Sequence, residues 1–121
     1  MTDIMSVIRA FKPTAAISVP SVILSIAEYV DKNNLTDISL KKIVTGGEHL
    51  FPEVKAYIKK ILKTEKFAST GYLSNDTGCI GFQYEVTENA IHHIHEDYCI
   101  MEVVNPETNE PVPDGEEGEI S

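Results

Sequence analysis

The stretch KIVTGGEHLFP, residues Lys42–Pro52, decides the fold. It opens with KIVT, a short run that contains β-branched residues of strand-forming character. It then passes through the adjacent glycines Gly46 and Gly47 and reaches Pro52, a residue type favoured in the first turn of a helix. Strands that alternate with helices pair in parallel through right-handed crossovers, so this strand–loop–helix unit predicts a parallel sheet.

The same pattern continues on both sides of this stretch. The short apolar run Ala15–Val19 predicts a strand before a helix that starts at Pro20 and stops at Asn33, and Phe67–Thr70 predicts a third strand. Helical spacing of apolar residues predicts three buried helix faces. Their members are Ile4, Val7, Ile8 and Phe11 in the first helix, Ile23, Ile26, Ala27 and Val30 in the second, and Val54, Tyr57, Ile58, Ile61 and Leu62 in the third.

The pattern changes after Gly71. Alternation of Ile80, Phe82 and Tyr84 with smaller or polar residues predicts a strand with one covered face. The run Tyr98–Val104 predicts another strand, Asn105–Asn109 a turn, and Glu119–Ser121 the start of a further strand. We therefore predict an α/β fold in which a parallel β-α-β-α-β unit, residues 1–78, precedes a mainly antiparallel β segment, residues 79–121, that begins a second subdomain.

Charge is distributed unevenly along the 121 residues, whose net charge is −9. Residues 1–66 carry all ten Lys and Arg side chains against seven acids, whereas residues 67–121 carry twelve acids and no base. No segment offers a basic face of useful size, so we expect no nucleic-acid partner. The acidic half is typical of a solvated surface and is also suited to a basic neighbouring domain.

The location is inferred from what the chain lacks. No apolar run approaches the ~20 residues that span a bilayer, so we expect no membrane association. The N-terminal residues do not have the pattern of a signal peptide, and we expect a cytoplasmic protein. The cysteines Cys79 and Cys99 do not make a secreted disulfide framework, and we expect two buried thiols.

Ligands of parallel α/β sheets bind beyond the carboxyl ends of the strands. Two of these ends carry Gly46, Gly47 and Glu48 and the segment Gly71–Asp76. Adjacent glycines allow a flat ligand close to the backbone, and an aromatic ring and oxygen ligands follow in the second segment. Tight strand-to-helix turns explain the same residues equally well, so the residue pattern alone leaves both interpretations open.

Three segments carry a resemblance to a known family. They are KKIVTGGEHL, STGYLSNDTGCIGFQYE and HIHEDYCIMEVVNPETNEPVPDGEEGEI, in this order. Together they resemble phenylacetate–CoA ligase and its relatives among the adenylate-forming, AMP-binding enzymes. The third segment is the most specific of the three, and the similarity covers nearly the whole chain.

The resemblance implies roles for individual residues. Gly46, Gly47 and Glu48 match the loop that borders the adenine and the acyl pocket. The chain reads Gly71-Tyr72-Leu73-Ser74-Asn75-Asp76 at the family's Tyr-Gly-x-Thr-Glu motif. Tyr72 matches the tyrosine that packs on adenine, Asn75 falls at the threonine near the α-phosphate, and Asp76 falls at the glutamate that holds Mg²⁺. Leu73, Asn75 and Asp76 depart from the family's residues, and the shorter Asp76 side chain places its carboxylate about 1.5 Å nearer the backbone.

The resemblance also implies substrates and partners. These are ATP, Mg²⁺, a small carboxylic acid and CoA, used in forming an acyl-adenylate and then a thioester. The family's Gly/Ser/Thr-rich phosphate loop, its Thr-Gly-Asp segment and its C-terminal lid with a lysine find no match here. We therefore expect a fragment of the large domain of a longer ligase, inactive without the remaining parts of that enzyme.

Three alternatives stay open. A non-catalytic nucleotide- or protein-binding α/β module would share these residues, and so would an adenylating enzyme with an acceptor other than CoA. His92, His93 and His95 are zinc-ligand types, although on a strand His92 would point away from the other two. The residues do not decide the acid substrate or whether the protein forms a dimer.

Overall fold

Helices and strands alternate in the first half of the chain and give way to short strands in the second. The computed structural model describes residues 2–83 and 91–121. In the first half the elements are α1 (Thr2–Phe11), β1 (Ala15–Ser18), α2 (Pro20–Lys32), β2 (Lys42–Thr45), α3 (Pro52–Leu62) and β3 (Lys66–Ser69). In the second half they are β4 (Tyr72–Ser74), β5 (Gly78–Phe82), β6 (His93–Ile94), β7 (Val103–Val104) and β8 (Glu119–Ile120).

The first three strands form a parallel sheet in the order β1-β2-β3. Ser18 pairs with Thr45, and Thr45 pairs with Ser69, so the carboxyl ends of the three strands lie level with one another. The predicted parallel unit is confirmed. The prolines that open α2 and α3 occupy the first helical turn, where the missing N–H group costs nothing.

The hydrophobic core lies between this sheet and its helices. The four predicted inner residues of α2 are buried, and Ile23 is wholly inaccessible to solvent. Of the predicted inner residues of α3, Ile58 and Leu62 are buried, while the others are half-buried and pack against the core. Ile43 of β2 and Leu40, which precedes it, complete the centre. Thr64 is buried as well, and its hydroxyl donates to the Leu40 carbonyl at 2.8 Å, which satisfies both groups.

The predicted inner face of α1 is wrong. Met5 is buried, whereas Val7 is 59% exposed and Phe11 is 84% exposed. Adjacent helical residues point about 100° apart, so contact through Met5 turns much of the predicted stripe away from the core. Ile8 packs against the core only in part.

The second half forms two small antiparallel sheets, β4-β5-β6 and β7-β8. The pairs Tyr72–Gly81 and Leu73–Cys79 leave Ile80 as an extra residue on β5, which is a β-bulge. Ile80 and its neighbour Gly81 are therefore both buried, while Phe82 is exposed. The predicted single covered face is wrong at Phe82, and Tyr84 lies outside the described residues.

The predicted strand Tyr98–Val104 is present only as Val103–Val104. Residues 96–98 form a turn instead, in which the Tyr98 N–H donates to the His95 carbonyl at 2.9 Å. The Tyr98 hydroxyl donates to the Thr77 carbonyl at 3.1 Å, which anchors this turn to the β4–β5 connection. Strand propensity in this run is overridden by those contacts.

Other expectations for the second half have mixed outcomes. The turn after Val104 is confirmed, with Asn109 in the left-handed region at φ 58° and the Asn105 side chain accepting from the Glu107 N–H at 2.8 Å. The cysteines are unpaired thiols, but Cys79 is exposed and Cys99 half-buried, so the expected burial is wrong. Within residues 2–83 and 91–121, no helix has the length and apolar character required to cross a membrane.

A tyrosine joins the two helices of the core at their outer edge. The Tyr57 hydroxyl on α3 donates to Oδ2 of Asp31, near the end of α2, at 2.9 Å. Burial, then the hydrogen bond to Asp31, and then the negative charges of Asp31 and Glu28 raise the pKa of Tyr57 above its ordinary value of 10.0. The folded state therefore holds this proton more tightly than the unfolded state does.

We expect Tyr57→Phe to change how stability depends on alkaline pH. A raised folded-state pKa contributes stability that is complete below the unfolded pKa of about 10 and is lost as pH rises through the folded value. Below that range the variant should lose about 1 kcal/mol of unfolding free energy with the hydrogen bond. Urea unfolding from about pH 8 to pH 11 should show the wild-type and variant curves converging. Curves that stay parallel throughout would contradict the assignment of a raised pKa to Tyr57. In an Asp31→Asn background, the stability difference between the protein with Tyr57 and the Tyr57→Phe variant should be smaller, because the charged acceptor is gone.

Candidate functional site

A cavity of about 540 Å³ lies where β2 and β3 end. Because the parallel strands are in register, the loops after them leave the sheet at the same edge. The cavity therefore collects residues from three separate parts of the chain. They are Thr45, Gly46, Gly47, Glu48, His49, Leu50, Pro52 and Lys55, then Phe67, Ala68, Ser69, Gly71, Tyr72 and Leu73, and finally Gln83 and His92.

The structure brings most of the residues singled out in the sequence together. Gly46, Gly47, Glu48, Gly71 and Tyr72 all line the cavity. Two do not line it. Asn75 and Asp76 lie in the exposed turn between β4 and β5, where the Asp76 N–H donates to the Ser74 hydroxyl at 3.2 Å. Their roles at a phosphate and at Mg²⁺ stay predictions.

The loops that follow β2 and β3 approach each other tightly beside the cavity. The Thr70 N–H donates to the Thr45 carbonyl at 2.8 Å, which extends the β2–β3 pairing by one residue. Gly46 then passes so close to the Thr70 side chain that a Cβ at position 46 would collide with the Thr70 hydroxyl oxygen. Packing against Thr70 thus explains Gly46 on structural grounds, whether or not a ligand is bound.

Tyr72 and His92 form an aromatic corner. Tyr72 opens β4 and is 40% exposed, so a ligand can reach it. Its ring centroid lies 6.2 Å from that of His92, with the rings tilted by 43°. An aromatic ligand ring can pack on such a surface in an offset or edge-to-face arrangement.

Among the polar residues of the cavity that the sequence did not predict, Gln83 and His92 both contact Ser69. Ser69, the last residue of β3, receives two long-range contacts. Its N–H donates to Oε1 of Gln83 at 2.6 Å, and its hydroxyl lies 2.9 Å from Nε2 of His92. The position of Ser69 at a strand end was a usable signal, whereas Gln83 and His92 arrive from the other sheet and had none.

The histidine cluster divides as the strand alternation predicted. His92 faces the cavity, while His93 and His95 both contact the Phe82 ring, at centroid distances of 5.8 and 5.0 Å. Among the residues that the structure describes, no group of three or more His, Cys, Asp or Glu side chains is placed to hold a metal ion. The arrangement therefore gives His92 a separate role from its neighbours.

The remaining lining gives the cavity its chemical character. Leu50, Phe67 and Leu73 contribute apolar surface. The Lys55 ammonium nitrogen lies 5.9 Å from the centroid of the Phe67 ring, a cation–π contact at the cavity wall. Flat, partly apolar ligands with hydrogen-bonding edges match this mixture of surfaces.

This chain belongs to the AMP-binding enzyme family, whose model matches residues 1–121. It is 30% identical over 113 residues to a phenylacetate–coenzyme A ligase of Thermus thermophilus, covering 92% of this chain and 25% of that protein. It is also 26% identical over 128 aligned positions to a 4-coumarate–CoA ligase of Humulus lupulus, covering 99% of this chain and 23% of that protein. The chain thus spans about a quarter of the length of these relatives.

We expect Gly71→Ala to damage the cavity by displacing β4. Gly71 has φ 130°, which L residues rarely adopt, and a Cβ there would lie 2.7 Å from the Gly81 carbonyl oxygen on β5. Strain and collision together should cost about 3 kcal/mol or more of unfolding free energy, measured in urea.

Gly115→Ala is the matched control for this change. Gly115 also has a positive φ, 89°, but a Cβ there would meet nothing within 4 Å. It should cost only the backbone term of about 1–2 kcal/mol. Equal losses for the two variants would show that the contact with β5 does not matter.

Proposed function

We propose that this chain forms the nucleotide-facing wall of an ATP-dependent carboxylate–CoA ligase. The observation that carries the proposal is the cavity at the ends of β2 and β3, where Gly46–Glu48, Gly71 and Tyr72 meet. These are the positions that the family resemblance connects with adenine and the acyl group. Membership of the AMP-binding enzyme family supports the same ligand.

The proposal extends to the organisation of the enzyme. We infer two subdomains, which the sequence analysis predicted at residues 1–78 and from residue 79 onward. The change from parallel to antiparallel pairing falls between β3 and β4, which supports two subdomains and favours a boundary near Gly71. Further parts of the same enzyme would supply the phosphate loop, the ribose-binding segment and the lid. The unpaired cysteines suit a cytoplasmic location, where thiols stay reduced.

The reaction has two steps. A carboxylate oxygen of the acid attacks the α-phosphorus of ATP, the bond to the bridging oxygen breaks, and pyrophosphate leaves. The sulfur of CoA then attacks the acyl carbon of the adenylate, a thioester forms, AMP leaves, and the thiol proton passes to solvent or a base. In this scheme Tyr72 packs on the adenine, and the Gly46–Gly47 loop borders the reacting carboxylate.

The family resemblance gives Asp76, which lies in the exposed turn outside the cavity, the proposed role of holding Mg²⁺. Mg²⁺ in nucleotide sites is held by one or two carboxylates together with substrate phosphates and water. Asp76 offers an exposed carboxylate, and Asn75 beside it offers an amide oxygen. When bound, the ion would neutralise phosphate charge, and Asp76 would fix its position.

We propose an aromatic carboxylic acid as the substrate and CoA as the acceptor. Both relatives are named as CoA ligases of acids with an aromatic ring, phenylacetate and 4-coumarate. Apolar surface from Leu50, Phe67 and Leu73 in the cavity supports such a substrate. An acceptor other than CoA has no comparable support.

The test is acid-dependent exchange of pyrophosphate into ATP, measured on the protein as it occurs naturally, with a panel of aromatic and aliphatic acids. Aromatic acids should support exchange, and CoA should convert the adenylate to a thioester. Tyr72→Ala should weaken AMP binding about tenfold through lost stacking, while Tyr72→Phe should keep most of the affinity. Calorimetry with AMP measures this change.

Phe11→Ala provides the control for Tyr72→Ala. Phe11 lies on α1, is 84% exposed and does not line the cavity. Its removal should leave AMP affinity within about twofold of wild type, because no ring contact with the nucleotide is lost. Absence of exchange with every acid, or equal affinity losses for Tyr72→Ala and Phe11→Ala, would count against the proposed function.

We expect Asp76→Ala to slow pyrophosphate release about tenfold or more and to raise the Mg²⁺ concentration needed for half-maximal rate, because the anchoring carboxylate is lost. Asp97→Ala is the control, since Asp97 is also an exposed acid in a turn of the second half. Unchanged pyrophosphate release in Asp76→Ala, with the cognate acid, would remove Asp76 from the metal site.

A further inference from the structure

The Glu48 carboxylate lies at the N-terminus of a helix that is distant in the sequence. Its Oε2 accepts from the Ser21 N–H at 2.9 Å, and its Oε1 accepts from the Ser21 hydroxyl at 2.9 Å. Ser21 is the second residue of α2, and it stands 27 positions before Glu48. Both carboxylate oxygens therefore accept hydrogen bonds from one residue in the first turn of α2.

The N-terminus of α2 has no capping side chain or acidic residue of its own. Its N-cap residue, Val19, makes no side-chain hydrogen bond to the helix, and the first turn carries no acid. The free N–H groups and the helix dipole favour a negative charge at this place. α3 also lacks a side-chain cap, but it carries Glu53 in its first turn. Glu48 thus places a negative charge at the N-terminus of α2 from a neighbouring loop, whereas α3 carries such a charge, Glu53, in its own first turn.

The loop that Glu48 ends is built on two glycines. Gly46 and Gly47 carry no side chains, and Gly47 has φ 80°, so the side-chain contacts that position this loop come from neighbouring residues. Gly46 lies against Thr70 on one side. Glu48 fixes the other side of the loop to α2, across the ends of β1 and β2.

We propose that Glu48 is a positioning residue. It holds the Gly46–Gly47 loop against the N-terminus of α2, and it contributes to ligand binding through that loop and not by contact with the ligand. The family resemblance had connected Glu48 with the adenine and acyl pocket as part of the loop. The ligand half of this proposal rests on the proposed function above.

We expect the Ser21–Glu48 contact to affect the loop more than the stability of the whole protein. Ser21 and Glu48 are exposed, so water competes for their hydrogen bonds and the net contribution of this contact to stability is small. Loss of the contact should therefore change the melting temperature by only about 2 °C while loosening the loop itself.

The experiment combines hydrogen exchange with AMP calorimetry on the naturally occurring protein. Glu48→Ala should speed exchange of the amides in residues 46–48 and weaken AMP binding, each by about threefold to fivefold. Ser21→Ala keeps the backbone bond and should show a smaller effect in the wild-type background. In the Glu48→Ala background it should add nothing, because its partner is already gone. Glu48→Gln keeps an acceptor oxygen and should fall in between.

Glu53→Ala is the control for loss of one acid near a helix N-terminus. Glu53 does not line the cavity, and its variant should leave loop exchange and AMP affinity unchanged. Weaker AMP binding in Glu48→Ala with unchanged loop exchange, and no effect of Ser21→Ala in either background, would overturn the proposal and leave the proposed function intact.

Failure of the proposed function can be distinguished from failure of the loop contact. If the wild-type protein binds no AMP and exchanges no pyrophosphate, the proposed function fails, and the ligand half of this inference falls with it. Faster loop exchange in Glu48→Ala, made no faster by adding Ser21→Ala, would still establish the contact that holds the loop. Unchanged amide exchange in residues 46–48 of both variants would also disprove the proposal that Glu48 holds the loop.

Discussion

In-register parallel pairing of β1, β2 and β3 is the constraint on which the rest of this structure depends. Ser18, Thr45 and Ser69 lie level with one another, so the loops that follow the strands leave the sheet at one edge. A shift of one residue in either pairing would turn the buried side chains of β2 to the opposite face. The core residue Ile43 therefore fixes the position of the loops as well as the packing beneath them.

Specific contacts then convert that edge into a cavity. Thr70 continues the pairing to Thr45 and occupies the space beside Gly46. Ser69 receives Gln83 and His92 from the second half of the chain. Each contact joins segments from different elements, and together they place glycine loops, an aromatic corner and a cation around one volume. Such a mixed surface suits a flat ligand with both apolar and hydrogen-bonding parts.

Much of the parallel unit was predictable because local signals and burial agree there. Pro20 and Pro52 mark helix starts, and the apolar spacing of α2 and α3 matches their buried faces. α1 was mispredicted because its spacing allowed several faces and only the packing of Met5 chose one. In the second half, a bulge at Ile80 and the hydrogen bonds of Tyr98 override local strand propensity. The glycine loop and Tyr72 were predicted from their position at strand ends, whereas Gln83 and His92 depend on long-range packing that no local pattern records.

The cavity draws on residues as far apart as Thr45 and His92. No single local segment contains it, so it forms only when β2, β3 and the residues Gln83 and His92 are docked at the same time. Any ligand that prefers this volume must therefore bind the docked state over partly opened ones. Its binding energy is shared by all three segments, and occupancy would protect them from local opening as one cooperative unit.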